Sequence, residues 1–318
     1  MDQYVKQPPM SLRQLERMQE QLFRESGPFY HLLTNPLENA IIFQDEEERK
    51  VAINFIAIIA REVNVEILVF ALMNNHFHFI IRGEKVNGIE FFRRLKKRLS
   101  YFLARKGRAN VLDSVEPKAL PITTLTQFRN EVAYVIRNPY VVIVDVNPFA
   151  YPWCSGYLYF NPLLPFLESK PVDALTYREK RNITRSSDAN LDSSFRVRNG
   201  MIALESFMNY RLVEELFPNA RKFTWWVIKN VEAQVETAIR LGEHPNPSDD
   251  ELYITTMRIC EDQFNKKGNQ NLTDKEKMNL AVTLKNNWYA SNAQVARLSG
   301  LPIDTVNALF PMAAKPKG

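Results

Sequence analysis

Two histidines separated by one residue are the first feature of this sequence that could hold a metal ion. His76 and His78 flank Phe77 in an apolar stretch. Alternate side chains of a β-strand point to the same face, so the two imidazoles would lie together, with Cα atoms roughly 6.5–7 Å apart. A pair of this kind often has only a structural role, but the chain has only four histidines, and unpartnered imidazoles are costly to bury. Since paired imidazoles suit one divalent ion, the pattern predicts a metal site.

A tyrosine and an asparagine four residues apart form the second candidate group. Tyr134 and Asn138 would share one face of a predicted helix, and Pro139 is expected to end that helix directly after Asn138. The Asn138 amide oxygen would then be available as a third metal ligand, with the Tyr134 hydroxyl beside the ion. Taken singly, each residue also suits a structural role, the tyrosine in helix packing and the asparagine at the helix end.

The elements that must position these residues follow from hydrophobic periodicity and turn residues. Strands are predicted at Phe29–Thr34, 66–73, 76–82 and about 119–123, with a hairpin turn at Asn74 and Asn75, and helices at 45–64, 89–106 and 125–137. The order strand–helix–strand–strand–helix–strand–helix is that of a ferredoxin-like split βαβ, an α+β fold. Helices on one face of the sheet would leave the other face open for a ligand.

Three motifs resemble those of the HUH single-tyrosine transposases, especially the REP-associated tyrosine transposases. Residues 71–80 (ALMNNHFHFI) resemble the family's LMPNHVHLL signature, residues 134–139 (YVIRNP) its YIHxNP helix, and residues 151–155 (YPWCS) its YPWSS element. They occur in the family's order and at about its spacing, within residues 25–165. Asn74 replaces the usual proline and Cys154 the first serine, and neither change removes a side chain that the chemistry needs.

The resemblance implies a DNA transposase that nicks and rejoins single-stranded DNA. It implies that Tyr134 is the nucleophile, that Mg²⁺ or Mn²⁺ binds His76, His78 and Asn138, and that cleavage leaves a 5′-phosphotyrosine. A phenol has a pKa of about 10, so Tyr134 needs help from its surroundings to attack. A bound metal would polarise the scissile phosphate. The implied substrate is a hairpin or other foldback in single-stranded DNA.

A run of basic residues marks the helix predicted at 89–106 and the turn after it. Such a run is usually a solvated helix face, but beside a nucleic-acid site it is expected to track phosphates. The residues are Arg93, Arg94, Lys96, Lys97, Arg98, Arg105, Lys106 and Arg108. Phe91, Phe92 and Tyr101 are candidates for base stacking, although packing in the core is the favoured role for these aromatic residues.

The carboxyl-terminal half is predicted to be separate from a catalytic domain at residues 1–165. Residues 166–200 are polar and aperiodic and are interpreted as a linker, and residues 201–318 as a helical domain. Residues 291–310 predict a helix-turn-helix, with Ala296 where two helices touch, Gly300 in the turn and Val306 as an apolar anchor. Thr305 and Asn307 would read bases in duplex DNA. Any short helical hairpin would give a similar pattern.

The composition is that of a soluble globular protein. Hydrophobic residues make up 45% and charged residues 24% of the chain, and the net charge is +5. No run of about 18 apolar residues occurs, and the amino terminus lacks a signal-peptide pattern. We therefore expect a cytoplasmic protein with no membrane partner. The two cysteines, Cys154 and Cys260, are far apart and lack metal-ligand spacing.

Two other functions are compatible with part of the pattern. One is a domesticated, sequence-specific DNA-binding regulator with a decayed transposase domain, although the presence of every expected site residue argues against decay. The other is an HUH replication initiator or relaxase, but relaxases commonly use a three-histidine cluster and some initiators carry two tyrosines on the catalytic helix. The sequence leaves open whether the protein acts alone or as a homodimer.

Overall fold

The computed structural model describes residues 11–35, 41–142, 147–229, 231–243 and 249–311. The chain forms two compact units, Met1–Val227 and Ile228–Gly318. The first unit combines helices with a small antiparallel sheet, and the second is helical in its described part. The molecule is therefore a mixed α+β protein whose boundary lies well beyond residue 165.

In its described residues, the first unit contains seven strands and the helices that cover them. Its helices are α1 (Leu12–Ser26), α2 (Glu46–Glu62), α3 (Lys85–Arg105), α4 (Leu125–Val142), α5 (Tyr177–Thr184), α6 (Tyr210–Leu216) and α7 (Ala220–Lys229). Its strands are β1 (Phe29–Thr34), β2 (Glu66–Leu72), β3 (Phe77–Arg82), β4 (Pro117–Ile122), β5 (Lys170–Pro171), β6 (Arg196–Arg198) and β7 (Met201–Ile202). The predicted elements before residue 140 are all present, and α1 is an additional one.

Strands β1 to β4 form one sheet in the order β2-β3-β1-β4, with every neighbouring pair antiparallel. In the β1–β3 pair, His31 lies opposite Ile80 and Leu33 opposite His78. Side chains that lie opposite each other in an antiparallel pair share a face, as do alternate residues of one strand. His31 and His78 therefore project from the same face of the sheet.

Helices α2 and α3 cover the opposite face. The Phe77 ring packs against Phe92 at 5.7 Å and the Phe79 ring against Phe91 at 5.4 Å between centroids, both edge-to-face. Phe91 and Phe92 are completely or almost completely buried. The sequence pattern offered these two residues for base stacking as an alternative to core packing, and their burial assigns them to the core.

Helix α4 packs across the face that carries the histidines, along β2 and β3. Phe128 of α4 meets Phe29 of β1 with ring centroids 5.2 Å apart. Helices α1 and α6 extend this layer, with α6 lying against β2. The expectation of an open sheet face was therefore wrong, because the apolar side of α4 covers it and delivers Tyr134 and Asn138 to the sheet.

Helix α4 does not end at Asn138. It runs to Val142 with Pro139 inside it. Proline has no N–H to donate to the carbonyl four residues earlier, so the helix continues with one hydrogen bond missing. The predicted helix end was wrong here, and Asn138 lies within a helix.

Residues 151–159 cover the free edge of β2. The Leu72 N–H donates to the Trp153 carbonyl at 2.9 Å, and Ala71 and Cys154 form a β-bridge. Ser155 Oγ accepts a hydrogen bond from the Phe70 N–H at 3.0 Å. Since an uncovered edge strand pairs readily with other chains, this segment, which contains the YPWCS motif, protects the sheet. Burial raises the pKa of the Cys154 thiol to about 12, so Cys154 is neutral and structural.

The segment at 166–200 is not a linker. It contains β5, α5 and β6, and with β7 it forms a second small sheet in the order β5-β6-β7. Its apolar side chains pack on α2 residues Ala57 and Ile58. Asn54 of α2 also donates to the Gly200 carbonyl and accepts from the Ile202 N–H, at 3.2 and 2.8 Å. The sequence did not predict this packing because the apolar residues of the segment are few and follow no helix or strand period.

The second unit contains helices α8 (Val231–Leu241), α9 (Asp249–Phe264), α10 (Asp274–Trp288), α11 (Asn292–Ser299) and α12 (Ile303–Leu309). Capping boxes at Thr273 and Ser291 begin α10 and α11. Gly300 ends α11 with φ of 71°, in the left-handed region, and Val306 is fully buried. The expected turn and anchor of the last two helices are therefore present as local geometry.

Among the residues described above, no helix combines the length and the apolar character that crossing a membrane requires.

Candidate functional site

Strand β3 and helix α4 bring the predicted site residues together. The rings of His76 and His78 meet edge-to-face with centroids 4.8 Å apart, and the Tyr134 ring lies 5.9 Å from that of His78. Asn138 Nδ2 lies 3.2 Å from His78 Nε2. Tyr134 is 8% exposed, and both histidines are buried. Residues more than 50 positions apart in sequence thus form one cluster.

The donor groups of this cluster suit a divalent metal. Burial and the nearby His31 hold the pKa of His78 well below its usual value, so His78 is neutral and one of its ring nitrogens can act as a metal ligand. The Asn138 amide group faces Nε2 of that ring, and a half-turn of the amide would present its oxygen instead. A neutral imidazole and an amide oxygen are ordinary ligands for Mn²⁺ and Mg²⁺. The residues present therefore fit the metal expected from the sequence.

Two residues that the sequence analysis missed extend the cluster inward. His31 Nε2 lies 3.1 Å from His78 Nδ1, and His31 Nδ1 lies 2.9 Å from Glu131 Oε2. Both His31 and Glu131 are fully buried. Gln127 donates to the second Glu131 oxygen at 2.8 Å. We call Glu131, His31 and His78 the histidine relay.

The hydrogen bonds of the relay determine which nitrogen of each imidazole carries a proton. An amide nitrogen can only donate, so His78 Nε2 accepts from Asn138 and the His78 proton is on Nδ1. His78 Nδ1 then donates to His31 Nε2, and His31 Nδ1 donates to the Glu131 carboxylate. This arrangement directs the Nε2 lone pair of His78 toward Asn138, as metal binding requires. Carboxylate partners orient metal-binding histidines in this way in many metal sites.

Replacing Glu131 by glutamine is expected to weaken Mn²⁺ binding by about 10- to 100-fold, the usual effect of losing a partner behind a ligating histidine. The amide keeps the shape of the side chain but lacks the charge that favours the proton on His31 Nδ1. Titration of the metal-free protein with Mn²⁺, followed by EPR, measures the affinity. Glu16→Gln is the matched control, because Glu16 bonds to Arg129 and not to the relay.

The ¹⁵N chemical shifts of the imidazoles report the same arrangement without any assay of activity. The His78 proton should be on Nδ1 in the wild-type protein. A proton on His78 Nε2, or unchanged Mn²⁺ affinity in Glu131→Gln, would contradict the orienting role of the relay.

The turn before the histidines is held in place from outside the hairpin. The Asn74 carbonyl accepts from the Ile42 N–H at 2.6 Å, and its side-chain oxygen accepts from Arg49 at 2.6 Å. The Arg49 guanidinium also lies 5.7 Å from the Trp153 ring centroid. Asn74, which stands where the transposase signature has proline, therefore adds a side-chain hydrogen bond from Arg49 that proline could not accept.

Most of the predicted DNA-binding residues on α3 are engaged in ion pairs. Arg93 and Arg94 both bond Glu90 at 2.7 Å and lower the pKa of its carboxyl to about 2. Arg98 pairs with Glu62 at 2.7 Å. Exposed pairs of this kind contribute little to stability, but they reduce the positive potential of the helix.

Of the remaining predicted DNA-binding residues on α3 and in the turn after it, three form ion pairs and two do not. Lys96 pairs with Glu116 at 2.7 Å, Lys106 with Asp45 at 2.6 Å and Arg108 with Glu48 at 2.8 Å. Lys97 and Arg105 make no ion pair with a described residue. Helix α3 covers one face of the sheet, whereas His78 and Tyr134 are on the other. The basic side chains of α3 therefore lie on the face opposite the candidate site.

The two residues predicted to read bases lie on α12. Thr305 is half-buried, and Asn307 is exposed. Asn307 Oδ1 accepts a hydrogen bond from Asn292 at 3.0 Å. That bond links the start of α11 to α12. It also occupies the Asn307 side-chain oxygen, which base reading would use.

No family model matches this chain, and no curated protein matches it. Among solved structures, the chain is similar to the REP-associated tyrosine transposase bound to a REP hairpin. The identity is 15% and the TM-score 0.35, over 42% of this chain and 79% of that chain. At this identity and TM-score, the likeness does not establish a shared fold or function.

Proposed function

We propose that this chain is a metal-dependent DNA transposase that nicks and rejoins single-stranded or hairpin DNA through Tyr134. The observation that carries the proposal is the convergence of three side chains from two distant elements. Asn138 Nδ2 lies 3.2 Å from His78 Nε2, and the Tyr134 ring lies 5.9 Å from the His78 ring. A nucleophile thus stands beside a neutral imidazole and an amide, as a metal-assisted phosphoryl transfer requires.

The strand order supports the proposed ferredoxin-like split βαβ fold of the catalytic region. The order β2-β3-β1-β4, with α2 and α3 as the two connections, follows the pattern of that motif. The central strands are β1 and β3, which carry His31 and His78. A central position holds these histidines rigidly, so the site depends on the sheet and not on a loop.

In the proposed reaction, the Tyr134 oxygen forms a bond to phosphorus and the bond from phosphorus to the 3′ oxygen breaks. Tyr134 loses its proton to solvent, and the leaving 3′ oxygen gains one. The DNA on the other side stays linked as a 5′-phosphotyrosine, which a second 3′-hydroxyl reverses. A metal held by His76, His78 and Asn138 would supply Lewis-acid polarisation of the phosphate. Because Tyr134 is only 8% exposed, neighbouring groups must move apart to admit a strand.

Two alternatives are weighed against particular residues. His31 is a third histidine, 3.1 Å from His78, and relaxases commonly use a three-histidine cluster. His31 faces the Nδ1 side of His78, however, and its other nitrogen bonds Glu131, so it supports a ligand and is not placed as one. The regulator alternative would rely on α11 and α12 for duplex binding and requires no chemistry at Tyr134.

A covalent adduct tests the proposal. The full chain is incubated with Mn²⁺ and a pool of random single-stranded oligonucleotides, labelled at either the 3′ or the 5′ end. The proposal predicts that the 3′-labelled DNA stays with the protein on a denaturing gel, because the linkage is to a 5′ phosphate. The 5′-labelled fragment should be released. No adduct, together with tight duplex binding, would favour the regulator.

The metal requirement is tested in the same assay. EDTA and the double substitution His76→Ala/His78→Ala should each eliminate the adduct, and Mn²⁺ should restore activity only to the EDTA-treated wild type. Full activity in EDTA would exclude the metal role.

A further inference from the structure

An open groove lies between the end of α3 and helix α5, in the part of the chain first interpreted as a linker. Its volume is about 910 Å³. Four arginines and one tyrosine dominate its lining: Arg105, Arg178, Arg181, Arg185 and Tyr177. No aspartate or glutamate is among the described residues that line it. We call these five residues the arginine groove.

The arginines of α5 are spaced to face one way. Arg178, Arg181 and Arg185 are three and four residues apart, so they project from one side of the helix. Arg185 pairs with Glu47 at 2.7 Å. Arg178 and Arg181, with Arg105 from α3, have no carboxylate partner among the described residues. The helix dipole favours cations at the carboxyl-terminal end of α5. It does not explain the presence of Arg178 near the start of that helix, or of Arg105, which belongs to α3.

Aromatic side chains accompany the charges. Tyr177, within the groove, is 62% exposed, and the Arg181 guanidinium lies 5.8 Å from its ring centroid. Tyr101 is 64% exposed and lines an adjoining cavity of about 540 Å³ that shares Arg105 and Arg185 with the groove. Three acidic residues line that cavity: Glu47 and Glu62 pair with Arg185 and Arg98, and Asp188 makes no ion pair with a described residue.

We propose that the arginine groove binds the backbone of single-stranded nucleic acid. Three of its arginines, Arg105, Arg178 and Arg181, lie together without carboxylate partners among the described residues and call for an anionic ligand. A groove this open suits an extended polyanion. Single-strand sites combine a basic channel with aromatic faces on which bases stack. The exposed rings of Tyr177 and Tyr101 provide such faces, and neither ring is needed for the core.

The position of the groove limits its role. Helix α5 packs on α2, so the groove is on the outer side of the α2–α3 layer, whereas Tyr134 is on the opposite face of the sheet. The stretch of DNA in the groove is therefore not the stretch being cut. The groove would hold flanking DNA, and this binding does not depend on the proposed chemistry at Tyr134.

Fluorescence anisotropy of labelled oligo(dT), with wild-type full-length protein in EDTA, measures this binding without cleavage. The triple substitution Arg105→Gln/Arg178→Gln/Arg181→Gln should lower affinity roughly tenfold or more at low salt, and the slope of log K against log salt should fall in magnitude by about 2. Replacing the same residues by lysine should largely restore both. Tyr101→Ala/Tyr177→Ala should lower affinity without changing the slope.

The control removes the same charge elsewhere. Arg13→Gln/Arg17→Gln/Arg221→Gln changes three exposed arginines outside the groove. Equal losses in the two triple variants would overturn the proposal, because net charge alone would explain them. So would an unchanged affinity in the groove variant, or a loss limited to duplex DNA. If the groove binds oligo(dT) while no adduct ever forms, this inference stands and the proposed enzyme function fails.

Discussion

Tyr134→Phe is expected to abolish the covalent adduct while leaving the fold and DNA binding nearly unchanged. Phenylalanine keeps the ring that packs edge-to-face on His78, so the apolar contacts persist. It lacks the oxygen that must bond to phosphorus. The loss should therefore be complete within the sensitivity of the gel, and thermal unfolding should shift little.

Tyr253→Phe is the matched control. Tyr253 is 52% exposed on α9, in neither the Tyr134 site nor the arginine groove, and its substitution should leave adduct formation intact. If Tyr134→Phe forms the adduct at a rate near wild type, Tyr134 is not the nucleophile. If both variants lose the adduct, loss of oligonucleotide binding is the expected cause, and fluorescence anisotropy measures that binding directly.

Truncation after residue 165 is expected to prevent folding of the first unit. The core that includes the sheet also contains eight buried side chains from beyond that point. They are Leu204, Met208, Leu212, Val213, Leu216, Phe217, Phe223 and Val227. Burial of such a side chain is worth about 1.5–3 kcal/mol, and a whole domain is stable by only about 5–15 kcal/mol.

Polar contacts point to the same boundary. Arg129 of α4 is buried and donates to the Leu216 carbonyl at 2.8 Å and to Glu16 at 2.8 Å. Gln19 of α1 donates to the Glu215 carbonyl at 2.8 Å. Removing α6 would leave the buried guanidinium and amide with fewer partners, which is costly.

Expression of fragments 1–165 and 1–227 provides the measurement. The shorter fragment should be insoluble or lack a cooperative thermal transition, and the longer fragment should be soluble and unfold cooperatively. A soluble, cooperatively folded 1–165 fragment would show that the first boundary, placed at residue 165 from composition, was the right one.

Local features of the fold were accessible from the sequence because they depend on neighbouring residues. The helix predicted at 45–64 is α2, with Asp45 as its side-chain cap. Capping boxes at Thr273 and Ser291, each formed by residues three positions apart, begin α10 and α11. Another capping box, at Ser11 and Gln14, begins α1. The same pattern could have revealed α1, although its helix was not predicted.

Features that depend on strand register or distant packing were not accessible. His31 meets His78 only because β1 and β3 pair in one particular register, and Glu131 reaches His31 only once α4 lies across that face. The basic residues of α3 and of the turn after it could be identified from the sequence. The pairing of Arg98 with Glu62 and of Arg108 with Glu48 could not. Arg178 and Arg181 were interpreted as linker residues because their proximity to Arg105 also depends on distant packing.

The most direct test of the central claim is to locate the DNA on the protein. The adduct formed with Mn²⁺ is digested with nuclease and protease, and the peptides are analysed by mass spectrometry. We predict a nucleotide attached through its 5′ phosphate to the peptide that contains Tyr134. Attachment to any other residue, such as Tyr101 or Tyr151, would contradict the account.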